Sequence, residues 1–526
     1  MPTNTDGDMT DPVRPPRRLL WRVLLWGGGV FVGLIVPVLL LVGIESWRGH
    51  RAWAVCQREL SARGEKLDLK AFVPPPVPDD QNFAATPLFA GLEFKRWPGP
   101  EPMAWLKDFD RAESNVPSQR TVRGRRGPDS AMPGSDMLAW ARAFRMVRTG
   151  DPEQPIPVTA PPGASAEVRA ALEVLEALKV YEPALAELRQ AAQRPASRFP
   201  IDYTQDEPAA IRLPHLAPLR KLCRVLQIRT LAEIVAGQGQ AALEDVLLML
   251  RVADAMKDEP LLVSQMVRIT CFQITTDVVN QGLAARVWTD PQLKQLQARF
   301  SQFDFVATAQ QALRAERAFG VAMLEFLLRA PKRVGEEYIR LHESYGPERV
   351  GWLLFPPGWM RFEQANYCRA VQGMLLPDAD IQRRRIDPRL VEEKQAKANP
   401  ESIGLWKSLI QHRIFTRLLL PGLSKTYSRC AYAQTLADQA VLACALERYR
   451  LAQGQFPDNL EVLVPAYLQQ VPADVISGQP MRYRQTPDGG FALWSVGWNG
   501  TDDGGVPARK REDLRSGDWV WKLPPQ

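Results

Sequence analysis

The sequence predicts a mainly α-helical protein with one transmembrane helix near its N-terminus, a body of helical hairpins and a small C-terminal α+β module. Three observations favour this fold class. Residues 23–44 form one uncharged apolar run, segments from residue 164 onward carry apolar residues at helical spacing, and two short alternating segments flank a Pro-Asp-Gly-Gly turn near the C-terminus. Apolar residues make up 45% of the 526 residues and charged residues 24%. These values are typical of globular proteins and exclude wholesale disorder.

The apolar run begins at Val23 and ends at Ile44. A helix rises about 1.5 Å per residue, so this run reaches about 33 Å and can cross a hydrocarbon core of about 30 Å. Arginines are denser just before the run than after it, which favours a cytoplasmic N-terminus. We therefore expect a disordered cytoplasmic tail at residues 1–18 and an uncleaved signal anchor at residues 19–45. The bulk of this single-pass protein would face the periplasmic side of the inner membrane.

The predicted partners follow from this anchor. The lipid bilayer would surround residues 23–44, and Gly29 and Gly33 form a G-x-x-x-G that would let two such helices pack as a homodimer. An envelope protein of unknown identity is the expected partner of the body. The net charge is +7, but the Arg-rich clusters RTVRGRR and QRRRIDPR contain no aromatic residues for base stacking. Nucleic acid is therefore not an expected ligand.

Proline-rich connectors precede the helical body. The 45 prolines concentrate in segments such as FVPPPVPDD and GDPEQPIPVTAPPG, where the fixed φ and missing N–H disfavour helix and sheet interiors. We predict a helical stalk with connectors over residues 46–163 and an α-helical body over residues 164–423. Residues 261–288 are apolar on most sides but include Arg268 and Asp277. This pattern favours a buried core helix over a second membrane span.

The chain lacks local catalytic motifs. It has no G-x-S-x-G elbow and no Walker loop, and LHESYG lacks the second histidine of H-E-x-x-H. The six cysteines are widely spaced without a C-x-x-C, which argues against a zinc ribbon. We therefore expect a non-catalytic interaction or scaffold role. The alternative is a membrane-anchored hydrolase whose unmarked cleft lies among the helices at about 200–420, because distant Asp/Glu pairs leave no local trace in a sequence.

The predicted C-terminal module covers residues 424–526. A long helix over residues 424–453 carries a stripe of small residues and ends before Gly454. The prolines of FPDNLEVLVPAYLQQVPAD bracket a short helix. Residues 481–484 and 490–496 then alternate around PDGG, which predicts a β-hairpin.

The order of these segments resembles a known family. ALERYRLAQGQFPDNLEVLVPAYLQQVPAD, followed by MRYR, ALWSVGWNGTDDGG and GDWVW, is similar to the globular head of the major pseudopilins of type II secretion systems. The likeness covers about residues 430–521 and implies a long helix, a small sheet and a calcium-holding loop. The chain has no G-F-T-L-x-E prepilin-peptidase site, and its apolar run is far from the module. It is therefore not expected to be a fibre subunit.

The stretch LWSVGWNGTDDGG contains the predicted metal site. Asp502, Asp503, Asn499 and Ser495 offer carboxylate, amide and hydroxyl oxygens, and the neighbouring glycines leave backbone carbonyls free. Calcium takes about six to eight such oxygens in irregular loops. The resemblance places its calcium loop in the same stretch, so we predict a Ca²⁺ site at these four residues. The alternative is an Asx/Gly turn with solvated acids.

Overall fold

The computed structural model describes residues 17–94, 106–116, 136–330, 357–398, 404–510 and 513–523. Within its first helix, side chains are described from residue 36 onward. These residues form a mainly helical protein with one small antiparallel sheet near the C-terminus. The predicted fold class is confirmed at that level.

The helices and strands follow in chain order. The helices are α1 (Arg17–Ala62), α2 (Lys107–Asn115), α3 (Met137–Thr149), α4 (Ala166–Leu178), α5 (Glu182–Ala192), α6 (Leu216–Val235), α7 (Gly239–Asp254), α8 (Leu262–Ala284), α9 (Asp290–Phe300), α10 (Phe305–Arg329), α11 (Pro357–Met374), α12 (Asp378–Gln382), α13 (Pro388–Ala398), α14 (Leu405–Ile410), α15 (Ile414–Leu423) and α16 (Thr426–Gln453). The strands are β1 (Arg482–Gln485), β2 (Phe491–Ser495) and β3 (Trp519–Leu523).

Local side chains set several helix ends. The Ser165 side chain accepts a hydrogen bond from the backbone N–H of Val168 and caps α4. Thr289 and Gln292 form a capping box at the start of α9, as expected for a threonine placed before Asp-Pro. Gly454 ends α16 with a left-handed φ of 81°, a conformation that glycine adopts without steric strain.

Helix α16 runs through the centre of the body. It packs against α8, α9 and α10, and its small buried residues, including Ala433, Ala437 and Ala440, let these neighbours approach closely. The Gln434 side-chain oxygen accepts the backbone N–H of Phe305 at 2.9 Å, which satisfies a buried donor at the start of α10. Helix α8 is buried as predicted. The hydrophobic core therefore continues across residue 424, where we placed the boundary of the C-terminal module.

The sheet extends the same core. Its strand order is β1-β2-β3, and both pairings are antiparallel, with Leu493 opposite Tyr483 on one side and Trp521 on the other. Strand β2 is buried along its length. The Gln439 side chain donates to the Trp519 carbonyl at 2.7 Å and so links α16 to β3. The predicted hairpin is confirmed.

One predicted element of the C-terminal region is wrong. The segment at residues 456–474 forms only a single 3₁₀ turn, Glu461–Leu463. Pro457 and Pro465 leave few residues between them, and a proline disfavours helical geometry at the residue before it. Leu460, Leu463 and Leu468 still reach the core, because irregular backbone can bury apolar side chains as well as a helix can.

Helix α1 is continuous, and its C-terminal half is seated on the body. A Cβ on Gly49 would overlap the carbonyl oxygen of Gly358, so α1 and α11 cross with their backbones in contact. Beyond the crossing, Trp53, Cys56 and Leu60 pack with residues of α10 and α11 in a separate small hydrophobic cluster. The predicted stalk from residue 46 is thus part of the folded body.

The part of α1 that precedes this crossing behaves differently. From residue 36 to residue 47 it exposes a series of large apolar side chains, here named the apolar collar: Val36, Val38, Leu39, Leu40, Leu41, Ile44 and Trp47. Residues 1–16 and the side chains at 23–32, 34 and 35, which include most of the predicted span, lie outside the described residues. Among the residues that are described, no helix has a long enough apolar stretch to span a bilayer.

Candidate functional site

The four residues of the predicted metal site divide into separate groups. Ser495 lies buried in β2, and its hydroxyl donates to Asp474 at 2.6 Å. The Asn499 amide donates to Asp503 at 2.8 Å. Asp502 faces another direction and accepts from the Trp494 indole N–H at 2.9 Å. The structure brings Asn499 and Asp503 together but places Ser495 and Asp502 with other partners.

Hydrogen bonds within the chain support the shape of this loop. Asp502 also accepts the N–H of Gly504 at 3.0 Å and lies 3.3 Å from the Arg482 guanidinium. The Trp494 indole bond, followed by the Gly504 N–H, lowers the pKa of Asp502. Within the described part of the chain, no three His, Cys, Asp or Glu side chains are placed to share a metal ion. In this arrangement Asp502 and Asp503 accept hydrogen bonds from donors within the chain, and the Ca²⁺ site stays a prediction.

Two buried acids that the sequence did not predict, Asp518 and Asp474, accept hydrogen bonds from the loop and from the strand before it. Asp518 is buried and accepts the N–H groups of Asp503 at 3.2 Å and Gly505 at 2.7 Å. Burial raises the pKa of Asp518 despite these two bonds. Asp474, also buried, accepts from Ser495 and Ser477. The sequence feature that could have identified Asp518 is its position immediately before the aromatic strand of GDWVW.

A groove of about 1170 Å³ lies elsewhere, between α4, α5, α6 and α7. Apolar side chains including Leu172, Leu175 and Pro183 form part of its wall. Charged side chains from α4, α5 and α6 or their ends form another part, and Glu233 belongs to them. A concave surface with an apolar wall and a few charged groups is the common form of a ligand site.

A five-residue charged network lies under this groove. Arg229 contacts Glu233 at 3.3 Å, Asp245 at 3.1 Å and Glu182 at 3.5 Å. Arg189 contacts Glu182 at 2.6 Å and Asp245 at 3.0 Å. Three carboxylates therefore face two guanidinium groups. With every group ionised, the network carries one surplus negative charge.

Glu233 is the member of the network with the fewest partners. It is 1% exposed, and its second oxygen, Oε2, is enclosed without a hydrogen-bond partner in the described structure. Burial, followed by the charge of Asp245, raises the pKa of Glu233 to about 8. Burial also raises the pKa of Asp245, although the two arginines oppose that rise. A proton on Glu233 at neutral pH would cancel the surplus charge.

The histidines that the structure describes do not form a second centre. His215 contacts Glu259 at 2.8 Å, is fully enclosed and stacks on Phe199 with a centroid distance of 4.3 Å. This enclosure separates the His215–Glu259 pair from solvent. His50 is exposed, with its ring nitrogen Nδ1 2.8 Å from the Ser46 carbonyl oxygen, and His342 lies outside the described residues.

No family model, curated protein or solved structure matches the chain. The resemblance of the C-terminal region to pseudopilin heads therefore stays a prediction. The geometry of the described residues is the basis for any functional proposal.

Proposed function

We propose that this chain is a single-pass, membrane-anchored protein of the bacterial envelope, and that its helical body acts through contacts with other proteins. The apolar collar is the observation that carries the anchoring. Its side chains are 45–63% exposed on a helix that is leaving the folded body. Contiguous exposed apolar surface marks an interaction site or a membrane-facing segment.

The distribution of the collar around α1 favours lipid over a partner helix. Residues 38–41 are four consecutive exposed apolar residues, and each turns by about 100° from the one before. They therefore cover every side of the helix. A helix that docks on a protein needs only one apolar stripe, whereas a helix that is apolar all round suits a hydrocarbon environment.

The expected orientation places the body on the periplasmic side. This rests on the arginines that precede residue 23. The interaction role rests on the missing catalytic motifs and on the likeness to a secretion-system head, here without the features of a fibre subunit. The partner in this proposal is another envelope protein, and the exposed loop at residues 499–504 is one surface available to it.

The anchoring is tested by changing the collar in the full chain. We expect Leu39→Gln, Leu40→Gln and Leu41→Gln together to move the protein from the alkali-resistant membrane fraction to the soluble fraction. The matched control replaces three exposed apolar residues elsewhere, Val180, Leu451 and Val462, with glutamine and should stay in the membrane. Equal release of both variants would overturn the anchoring.

Orientation and partnership need two further measurements. A reporter active only outside the cytoplasm, fused after residue 526, should be active, and an inactive but stable fusion would overturn the periplasmic placement. Crosslinking in intact membranes should join the body to another envelope protein. If every crosslink stays within the chain, the interaction role is wrong.

A membrane-anchored hydrolase is the second candidate, and Glu233 is the observation in its favour. A carboxyl with a pKa of about 8 is protonated at neutral pH and has the state that a general acid needs. Asp245, however, is engaged by Arg189 and Arg229, and the described groove wall contains no serine, cysteine or histidine. Hydrolysis of ester, peptide or glycoside substrates that is abolished by Glu233→Gln would establish this candidate.

A further inference from the structure

We propose that the groove between α4, α5, α6 and α7 binds a ligand with a cationic nitrogen on an apolar chain, and that the Glu233 carboxylate receives the cation. The proposal concerns a ligand class rather than anchoring, so it holds independently of the collar. It rests on the groove, on the unpartnered Glu233 oxygen and on the surplus charge of the network.

The unpartnered oxygen indicates what the groove lacks. Glu233 Oε1 contacts Arg229, but Oε2 has no donor among the described residues although it is enclosed. A buried acceptor without a donor is destabilising by about 1–3 kcal/mol. Glu233 forms part of the groove wall, so a turn of its side chain toward the groove would let an entering donor supply the missing hydrogen bond.

The charges around Glu233 indicate the sign of that donor. Arg229 on its own helix and Arg189 on α5 balance Glu182 on α5 and Asp245 on α7, so ionisation of Glu233 leaves one negative charge in excess. At the groove rim, Glu176 and Lys179 form an ion pair at 2.6 Å and cancel each other. A single positive charge would therefore balance the site, whereas an anion would increase the imbalance.

The wall of the groove indicates the rest of the ligand. Leu172, Leu175, Pro183 and Ala241 offer apolar surface next to the charged floor. An alkyl chain can cover that surface while its terminal nitrogen reaches Glu233. Alkylammonium and alkylguanidinium groups share this chemistry, whether they belong to a free amine or to a lysine or arginine side chain.

Binding of the cation should exchange it for a proton. Burial raises the pKa of Glu233 to about 8, so the carboxyl is protonated at pH 7 and must release its proton to pair with an ammonium group. We expect about one proton released per ligand bound at pH 7. The amine affinity should increase more than tenfold between pH 6 and pH 8, because Glu233 loses its proton over this range while an alkylamine stays charged up to a pH of about 10.

Calorimetry on the full chain in detergent tests the proposal with n-pentylamine as the probe. Titration in two buffers with different ionisation enthalpies counts the released protons without any mutation. The matched ligands are 1-pentanol and pentanoate, which keep the alkyl chain but change the charge. We expect the amine to bind at least tenfold more tightly than the alcohol, and the carboxylate to bind more weakly still.

Glu233→Gln identifies the receiving group. It should lower amine affinity at least tenfold and abolish proton release. Glu167→Gln makes the same chemical change at an exposed position of α4 outside the groove and should leave amine affinity and proton release unchanged. The proposal would be overturned if the amine and the alcohol bound with equal affinity, or if the wild type released no proton. It would also be overturned if both variants lost the same amine affinity.

Discussion

The C-terminal loop and the groove network both gather acidic side chains, yet the pKa values of Asp502 in the loop and Glu233 in the groove shift in opposite directions. Asp502 in the loop accepts a tryptophan N–H and a backbone N–H, and these bonds lower its pKa. Glu233 in the groove has one ion pair and one unpartnered oxygen, and burial raises its pKa to about 8. At the exposed Asp502, the Trp494 indole and the Gly504 N–H stabilise the charged form, whereas enclosure between helices destabilises the charged form of Glu233.

The comparison depends most on Arg229, which contacts three acids. We expect Arg229→Met to lower the free energy of unfolding by about 3–5 kcal/mol at pH 7, because it leaves buried carboxylates without their main counter-charge. Urea unfolding measures the loss. Arg111→Met removes an exposed ion pair with Asp108 and should change stability by less than about 1 kcal/mol. If Arg229→Met and Arg111→Met lowered the free energy of unfolding by similar amounts, the Arg229 ion pairs would be no stronger than an exposed pair.

The raised pKa of Glu233 predicts a dependence of stability on pH. The folded protein holds the Glu233 proton up to a pH of about 8, whereas the unfolded chain releases it near 4.3. The folded state therefore binds more protons in this window, and stability falls as the pH rises through it. Between pH of about 4 and about 8, Glu233→Gln should reduce this fall by about 5 kcal/mol.

Urea unfolding at several pH values measures the free energy of unfolding of the wild type and of Glu233→Gln, and the difference between the two curves tests the prediction. Burial also raises the pKa values of Glu316 and Glu363 to about 7 and of Asp438 to about 6. These groups add to the fall in both proteins. Parallel curves for wild type and variant would show that Glu233 is already ionised in the folded protein.

A smaller effect is expected at the loop. Asp518→Ala removes the acceptor for the Asp503 and Gly505 N–H groups and should destabilise the protein by about 1–3 kcal/mol. Hydrogen exchange of these two amides should accelerate. Asp502→Ala, at an exposed position, should change stability by less than about 1 kcal/mol. The reverse order would show that Asp502, and not Asp518, holds the loop.

The smallest expected effect concerns calcium. Millimolar Ca²⁺ should raise the melting temperature of the protein slightly if it reorganises Asn499, Asp502 and Asp503 into a common site. Asp502→Ala with Asp503→Ala should remove that gain. Mg²⁺ at the same concentration is the control, because it is smaller and less tolerant of irregular geometry. A melting curve that Ca²⁺ leaves unchanged would end the calcium hypothesis.

Sequence periodicity predicted the regular elements well. Helix α8 and helix α16 have the expected positions, and the β1–β2 hairpin forms around PDGG, because spacing and turn residues encode local structure. Periodicity does not reveal which helices will be neighbours. The packing of α16 against α8, α9 and α10, across the boundary expected at residue 424, could not be derived from its pattern.

The candidate sites show the same limit. Glu233 and Asp245 lie on different helices, and nothing local distinguishes them from solvated acids of an amphipathic helix. Their enclosure depends on Arg189 and Arg229, which tertiary packing brings from two helices. The oxygen-rich loop was visible in the sequence, but the directions of its side chains depend on Trp494, Arg482 and Asp518.

In the proposed anchored state, the glycine crossing between α1 and α11 fixes the orientation of the body relative to the anchor helix. Because Gly49 and Gly358 let the two backbones touch, any rotation of α1 about its axis carries the body with it, so in the proposed anchored state the rotation of α1 would set the direction in which the body faces. Each residue inserted into α1 between the collar and Gly49 would rotate the body by about 100° and shift it by about 1.5 Å. A series of such insertions would rotate the groove and the loop, in steps, relative to a partner that is fixed in the membrane.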